Sequence, residues 1–241
     1  LVLLHGGSGA WTHWARNIEH LSSTYALFVP DLPGFGESDL PNAAPDPLSF
    51  VQFVLAHCRR QFKDQPFHLA GFSFGSIVAG LIASALGSQL LSLMLVGAVG
   101  LGLPLPAPIK LKRRSQAMAP DELLEIERFN LQSLMLHESG SIDDLAVYIQ
   151  KMGSSLTRIK SINFFPEDSL FRSLTAISRH VSAVWGQFDA TAHPNLETRI
   201  ARLNALRNSV RANVINGAGH WVQYERPREF NEIALRHLTA A

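Results

Sequence analysis

The sequence is poor in cysteine, in net charge and in long apolar runs, and each scarcity excludes a class of protein. Cys58 is the single cysteine of 241 residues, so no internal disulfide can form, and we expect its side chain to pack as a small apolar group. Lysine and arginine total 21 against 20 acidic residues, and the resulting net charge of +1 attracts neither nucleic acid nor an anionic membrane. No apolar run approaches the roughly 18 residues that span a bilayer. We therefore expect no nucleic-acid or membrane partner, and the scarcity of cysteine favours a cytoplasmic location.

Nucleotide-binding patterns are also missing. The glycine-rich segment at residues 4–9 has no lysine where a phosphate-binding P-loop requires one, and G-x-G-x-x-G does not occur. We expect no cofactor and no metal ion. The expected partner is a small-molecule substrate, and the sequence is compatible with a homodimer.

What is present is an alternation of short apolar runs with longer segments of helical period, in a chain that is 46% hydrophobic and long enough for one substantial core. This alternation predicts an α/β fold, with a mostly parallel sheet covered by helices on both faces. The expected strands are 1–4, 25–29, 67–70, 91–96, 180–185 and 211–215. The expected helices are 11–21, 48–63, 74–86, 195–207 and 227–239. Because residue 1 lies inside an apolar run, we expect N-terminal strands to precede it.

The alternation stops between residues 100 and 173. We interpret 100–173 as a helical cap inserted into an α/β core formed by 1–99 and 174–241; the alternative is that its helices extend the core. Three prolines begin this stretch, and two of its segments have the apolar spacing of amphipathic helices: Pro104, Pro106 and Pro108, and residues 121–136 and 142–152.

The strongest chemical signal is Gly71-Phe72-Ser73-Phe74-Gly75, which lies between an apolar strand and a helix rich in small residues. G-x-S-x-G in this setting is typical of a nucleophile elbow, the sharp turn that exposes a reactive serine above a parallel sheet. Its glycines are needed because side chains there would collide with the adjoining strand and helix. The pattern predicts that Ser73 is a nucleophile.

A serine hydroxyl needs a general base, and the base needs a partner that orients it. His220 lies in a glycine-containing loop directly after the strand expected at 211–215, and Asp189 directly follows the one expected at 180–185. Serine, aspartate and histidine follow one another along the chain in the order typical of such a site. We predict His220 as the base and Asp189 as the orienting acid.

Two other acids and several histidines compete for these roles. Asp143 and Asp168 fall within the expected cap, which disfavours them as the orienting acid. The remaining histidines lack a comparable motif, and we expect them to be surface or packing residues: His20, His57, His68, His137, His180, His193 and His237.

A third element follows the first apolar run, in the segment His5-Gly6-Gly7-Ser8-Gly9. Backbone N–H groups of such a loop can stabilise the oxyanion of a tetrahedral intermediate without immobilising a side chain. We predict Gly7 and Phe74, the residue after the nucleophile, as the two donors. His5 is expected to make structural hydrogen bonds under the loop, whereas His13 either faces the pocket or packs against its neighbours.

Five segments together resemble the successive signatures of the α/β-hydrolase superfamily, in its branch with a serine nucleophile. The resemblance covers nearly the whole chain except the expected cap, and it implies the α/β-hydrolase fold with a Ser-Asp-His triad. The segments are His5-Gly6-Gly7-Ser8-Gly9, Asp31-Leu32-Pro33-Gly34-Phe35-Gly36-Glu37-Ser38, Gly71-Phe72-Ser73-Phe74-Gly75, Trp185-Gly186-Gln187-Phe188-Asp189 and Gly219-His220-Trp221.

Within the superfamily, the His-Gly-Gly loop, Trp11 and the segment after His220 look similar to the meta-cleavage product hydrolases, which split carbon–carbon bonds in vinylogous 1,5-diketones. That family usually has a small residue or methionine after the serine, a proline in the oxyanion loop and an asparagine two positions after the tryptophan. This chain has Phe74, Ser8-Gly9 and His13 at those places.

The resemblance also implies that an arginine of the cap binds a substrate carboxylate. Arg158 is the nearest candidate, with a solvated surface position as the alternative. Ser8, His13 and Trp221 are the other candidate substrate contacts.

These residues predict a serine hydrolase that acts through an acyl-enzyme on a carboxylic ester or related carbonyl substrate with an apolar acyl group. The cap would supply an apolar pocket with Leu134, Met135, Phe164 and Phe165. Three alternatives stay open: a C–C bond hydrolase of the meta-cleavage product type, a cofactor-free haloperoxidase or perhydrolase, and a non-catalytic ligand-binding module of the same fold.

Overall fold

The computed structural model describes residues 1–40, 46–105, 107–115, 117–206 and 210–239, and within them the chain forms a five-stranded parallel sheet. The strands lie side by side in chain order, and every neighbouring pair is parallel. The predicted α/β fold is confirmed. The strands are β1 Val2–Leu4, β2 Phe67–Phe72, β3 Leu90–Val96, β4 His180–Gly186 and β5 Arg211–Ile215.

The strand predicted at 25–29 is reduced to a single parallel bridge between Phe28 and Val2. The Leu3 N–H donates to the Phe28 carbonyl and the Phe28 N–H donates to the Leu1 carbonyl, each at 2.9 Å. Pro30 follows two residues later, and it has no N–H with which to extend the pairing. The prediction of a full strand was therefore wrong, although the segment lies beside β1 as expected.

Helices cover both faces of the sheet, as predicted. Short 3-10 turns lie at Trp11–Trp14, Gly87–Gln89 and Ser139–Ser141, and a π turn lies at Leu131–Met135. The α-helices of the described residues are α1 Ile18–Ser22, α2 Pro47–Phe62, α3 Phe74–Leu86, α4 Pro120–Asn130, α5 Asp144–Ser155, α6 Ser169–Leu174, α7 Leu196–Asn204, α8 Val222–Glu225 and α9 Pro227–Thr239. No helix in this part of the chain is long and apolar enough to cross a membrane.

The helix predicted at 11–21 is interrupted between the first 3-10 turn and α1. The side chain of Asn17, in the interruption, is buried and bound by distant residues. Its Nδ2 donates to the Gln223 carbonyl at 3.0 Å and to Asn231 Oδ1 at 2.9 Å. The backbone tightens accordingly, with the Asn17 N–H donating to the carbonyl of Trp14 three residues back. The last residue of the helix predicted at 195–207 lies outside the described residues.

Alternate residues of each strand enter two separate apolar layers. In β2, Leu69 joins the layer that holds α2, α3, α6 and α7, whereas Ala70 and Phe72 join the layer that holds α8 and α9. Cys58 is buried in α2, where burial raises the pKa of its thiol to about 11. The sheet is thus buried on both sides, which explains its nearly continuous apolar strands.

The segment between β3 and β4 carries α4, the π turn, α5 and α6. Its last helix packs directly on the core, because Leu170 of α6 lies against Gly80 of α3. Side chains of α5 and of the π turn join the layer formed by α8 and α9. Pro106, one of the prolines that marked the beginning of this segment, lies outside the described residues.

Candidate active site

Ser73 lies at the sharp turn between β2 and α3. Its backbone has φ 52° and ψ −117°, a conformation that a non-glycine residue adopts only at a cost of about 1–3 kcal/mol. The flanking glycines make room for this turn, because a methyl group on Gly71 would strike the Gly75 carbonyl and one on Gly75 would strike the His5 carbonyl. Glycine at both positions is therefore required by close backbone approach.

The three residues predicted as a triad lie in hydrogen-bond contact. Ser73 Oγ is 2.8 Å from His220 Nε2, and His220 Nδ1 is 2.9 Å from both Asp189 Oδ1 and Asp189 Oδ2. Asp189 follows β4, His220 follows β5 and Ser73 follows β2, so parallel strands deliver all three to the same edge of the sheet. The arrangement can remove a proton from the serine and transfer it to the imidazole.

Asp189 is completely buried, yet its carboxylate is well satisfied. Thr191 donates to Oδ1 through its N–H at 2.8 Å and through its hydroxyl at 2.7 Å. Burial raises the pKa of Asp189, but the charge of His220 and the hydrogen bonds from His220 and Thr191 outweigh it, so the pKa lies below its usual value. Asp189 is therefore held as an anion beside the imidazole.

The two predicted oxyanion donors lie close to each other and to the serine. A methyl group built on Gly7 would lie 3.6 Å from Phe74 Cβ, and one on Gly6 would lie 3.3 Å from Ser73 Cβ. Phe74 is the first residue of α3, where N–H groups lack partners within the helix and the helix dipole is positive. Gly7 and Phe74 are thus neighbours beside Ser73, and their role as oxyanion donors stays a prediction.

His5 and His13 lie beneath this loop and are almost completely buried. His5 Nδ1 is 2.8 Å from the Gly6 carbonyl, and the Leu32 N–H donates to His5 Nε2 at 2.9 Å. The Gly6 N–H donates to His13 Nδ1 at 3.1 Å. Burial lowers the pKa of His5 to about 4, and burial with the charges of His5 and His220 lowers the pKa of His13 well below its usual value.

A cavity of about 970 Å³ opens above Ser73, Gly7 and Phe74. Its volume is within the range of small-molecule sites. Leu134 and Met135 line it as predicted together with Phe165, whereas Phe164 packs against Phe50 and Phe74 and does not belong to the described lining. Other apolar side chains of the wall include Ile77, Val99, Leu101, Leu103, Leu105, Ile109, Leu111, Leu123 and Ile162.

Comparison with known proteins decides the family. A family model described as "Alpha/beta hydrolase family" matches residues 1–233. The chain belongs to the α/β-hydrolase family. The predicted fold and the resemblance to the α/β-hydrolase superfamily are thereby confirmed.

Several relatives of this α/β hydrolase are named for their activities. The chain is 25% identical over 253 residues to the 2-hydroxy-6-oxononadienedioate/2-hydroxy-6-oxononatrienedioate hydrolase of Escherichia coli (strain K12), with 99% of this chain and 86% of that protein covered. It is also 25% identical over 243 residues to the dihydrolipoyllysine-residue acetyltransferase component of the acetoin cleaving system of Cupriavidus necator. There 99% of this chain is covered, but the chain spans only 63% of that relative's length.

The fold is also similar to that of a solved meta-cleavage product hydrolase from Pseudomonas fluorescens IP01. The TM-score is 0.78 at 21% sequence identity, and the similarity covers 99% of this chain and 90% of the other. The expected similarity to the meta-cleavage product hydrolases is therefore confirmed.

Of the four predicted substrate contacts, only Ser8 lines the described cavity wall of this α/β hydrolase. His13 and Trp221 are almost completely buried below it, and Trp221 Nε1 donates to the His13 carbonyl at 2.9 Å. Arg158 Nη2 donates to the Ser38 carbonyl, and it too lies outside the described lining. The three side chains are thus not placed as substrate contacts. Each is held by hydrogen bonds or packing within the protein.

The rival residues also have other partners. Asp143 caps α5 and pairs with Arg16 and Tyr224, and Asp168 pairs with Arg172, so neither acid is a described partner of His220. His137 stacks on Phe188, with the ring centroids 3.9 Å apart.

Three residues that support the site were missed in the sequence. Thr191 follows Asp189 at the two-residue spacing of an Asx turn, a signal that would have found it. Buried Arg199 of α7 donates through Nη2 to the Thr191 carbonyl at 2.7 Å and to the Pro104 carbonyl at 3.1 Å. No sequence signal marks Arg199, because one partner, Pro104, is distant along the chain and the other, Thr191, lies in irregular backbone.

The third residue, Glu225, ties the histidine loop to the segment after the π turn. Its carboxylate accepts from the Gly219 N–H and the Glu138 N–H at 2.6 Å each, and from the His137 N–H at 3.0 Å. Two of these partners are more than eighty residues away. Local sequence patterns cannot reveal such a contact.

Proposed function

We propose that this α/β hydrolase is a serine hydrolase that cleaves a carboxylic ester or related carbonyl substrate through an acyl-enzyme. The observation that carries this proposal is the 2.8 Å contact between Ser73 Oγ and His220 Nε2, with His220 Nδ1 held by Asp189 at 2.9 Å. Because Asp189 accepts the proton of Nδ1, the lone pair of Nε2 faces the serine hydroxyl.

The chemistry follows from this tautomer. His220 Nε2 takes the proton of Ser73 while Oγ forms a bond to the substrate carbonyl carbon, and the carbonyl electron pair moves to oxygen. The N–H groups of Gly7 and Phe74 stabilise that oxyanion, a contribution typically worth about 10²–10³ in rate for one donor. His220 then protonates the leaving alcohol as the tetrahedral intermediate collapses. Water, deprotonated by the same imidazole, hydrolyses the acyl-enzyme and restores Ser73.

The cavity favours an apolar acyl group. Its wall beside Ser73 carries Phe74, Phe165, Leu134 and Met135, and apolar contact of this kind contributes roughly 25 cal/mol for each Å² of apolar surface removed from water. Phe74 itself is fixed by a cluster of aromatic rings, with Phe165 at 5.4 Å between ring centroids. A bulky apolar acyl group therefore finds a preformed site.

Replacement of Ser73 by alanine tests the proposal. We expect S73A to lose turnover of a p-nitrophenyl ester and to resist a fluorophosphonate label, while its thermal unfolding stays close to that of the wild type. Ser84→Ala is the matched control, because Ser84 lies in α3, the helix that follows Ser73, and its hydroxyl donates only to the Leu81 carbonyl among the described residues. Wild-type turnover by S73A, or labelling at another residue, would contradict the proposal.

A second candidate is hydrolysis of a C–C bond in a substrate that carries carboxylates. The relative from Escherichia coli acts, by its name, on a dienedioate, and the described cavity wall of this chain has more basic than acidic side chains. A substrate panel of esters, thioesters, lactones and vinylogous diketones separates the two candidates by their kcat/KM values. The basic residues are Lys112, Arg113, Arg114, Lys151 and Arg199, against Glu127 and Glu167.

Cytoplasmic location and a homodimer remain predictions. Fractionation of the native cells and the sedimentation of the purified chain would test them separately.

A further inference from the structure

Gly6 is held through both of its peptide bonds by buried histidine side chains. Its N–H donates to His13 Nδ1 at 3.1 Å, and its carbonyl accepts from His5 Nδ1 at 2.8 Å. Both rings are almost completely buried, so neither hydrogen bond competes with bulk water. Gly6 lies directly beside the nucleophile, since a methyl group built on it would be 3.3 Å from Ser73 Cβ.

These contacts require opposite tautomers of the two imidazoles. The Leu32 N–H donates to His5 Nε2, so that nitrogen has a lone pair and the proton of His5 is on Nδ1. The Gly6 N–H donates to His13 Nδ1, so in His13 the lone pair is on Nδ1 and the proton is on Nε2. Exchange of either proton would place two donors, or two acceptors, against each other.

The contact at the carbonyl determines the direction of the next N–H. The Gly6 carbonyl and the Gly7 N–H belong to one planar trans peptide unit and point in opposite directions. Because His5 fixes the carbonyl and His13 fixes the preceding peptide unit, the Gly7 N–H has little freedom to rotate. Glycine would otherwise allow both units to turn easily.

His13 also connects this loop to the loop that carries His220. Its carbonyl accepts from Trp221 Nε1 at 2.9 Å, and its ring lies 5.4 Å from the ring of Phe72, which precedes the serine. Gly9 lies against the same ring so closely that a methyl group there would strike it. His13 is thus packed between the segments that carry Gly7, Ser73 and His220.

We propose that His13 is a positioning residue that, together with His5, holds the Gly6–Gly7 peptide so that the Gly7 N–H meets the oxyanion. The inference rests on the proposed function, because it assigns a role within the same site. His13 accepts one hydrogen bond at Nδ1 and lies outside the described lining of the cavity. Its contribution is therefore expressed in the transition state and not in substrate binding.

The test compares His13→Leu, which removes the acceptor at similar volume, with His13→Asn, whose side-chain oxygen can take the place of Nδ1. For a p-nitrophenyl ester we expect H13L to lower kcat about 10- to 100-fold with little change in KM, up to the effect of one lost oxyanion donor. We expect H13N to recover most of that loss. His20→Leu, at an exposed histidine of α1, is the matched control.

Equal kcat values for H13L and wild type, or equal losses in H13L and H13N at unchanged thermal stability, would overturn the proposal. A second measurement keeps it testable if the variants fold poorly. In ¹⁵N spectra of the wild-type imidazoles we expect His13 to be unprotonated at Nδ1 and His5 to be protonated there. A proton on His13 Nδ1 would overturn the proposal in a fully active enzyme. A wild type with neither turnover nor fluorophosphonate labelling would instead overturn the proposed function, and the tautomers would still decide whether the two histidines hold Gly6.

Discussion

Replacement of Asp189 by asparagine isolates the orienting role of the acid with little change in shape. Thr191 donates to Oδ1 through both its N–H and its hydroxyl, at 2.8 and 2.7 Å. In the variant this position must therefore hold the amide oxygen. The amide nitrogen then occupies the position of Oδ2, which is 2.9 Å from His220 Nδ1.

We expect the amide N–H at that position to donate to His220 Nδ1, because Oδ1, although also 2.9 Å from Nδ1, already accepts from both Thr191 donors. The imidazole proton then moves to Nε2. Nε2 lies 2.8 Å from Ser73 Oγ, and in this tautomer it donates to the hydroxyl and cannot accept its proton. In other serine hydrolases this tautomer lowers kcat by about 10⁴-fold, which corresponds to about 5 kcal/mol of lost transition-state stabilisation. We expect a loss of that size here, with a smaller change in KM.

Steady-state hydrolysis of a p-nitrophenyl ester measures kcat and KM, and the rate of fluorophosphonate labelling reports Ser73 directly. Asp64→Asn, at an exposed residue after α2, is the matched control. Thermal unfolding verifies that D189N is folded. A kcat within about 10-fold of the wild type in a folded variant would refute Asp189 as the orienting acid.

Three further outcomes are expected. Burial lowers the pKa of His5 from 6.5 to about 4, so the folded state binds fewer protons than the unfolded state between these values. The contribution of neutral His5 to the free energy of unfolding is then fully present above about pH 6.5 and falls by about 2–3 kcal/mol towards about pH 4.5. Urea unfolding at both pH values measures this loss, with His5→Gln as the comparison. Glu225→Gln places an amide N–H among three backbone N–H donors and should cost about 1–3 kcal/mol; an unchanged urea midpoint would contradict this. Gly71→Ala drives a methyl group into the Gly75 carbonyl, so we expect about 1–3 kcal/mol of destabilisation together with slower labelling of Ser73. Wild-type melting and labelling in G71A would show that the turn tolerates a side chain.

The sequence by itself predicted the α/β fold, the serine turn and the positions of Asp189 and His220. These features depend on local signals: apolar runs, glycines at a sharp turn and polar residues directly after strands. Parallel strands bring such residues to one edge of a sheet whatever the details of packing. Five of the six predicted strands therefore lie in the sheet, and Ser73, His220 and Asp189 lie in hydrogen-bond contact.

Only the tertiary structure decided where the side chains around that site point. His13 and Trp221 were candidate substrate contacts, but each has a hydrogen-bond partner inside the protein and is buried below the loop. Arg158 turned to a backbone carbonyl near residue 38, and the helix predicted at 11–21 broke where Asn17 met α9. Partners that are more than a hundred residues apart leave no local pattern, so periodicity and motif spacing locate the reacting groups without revealing what holds them.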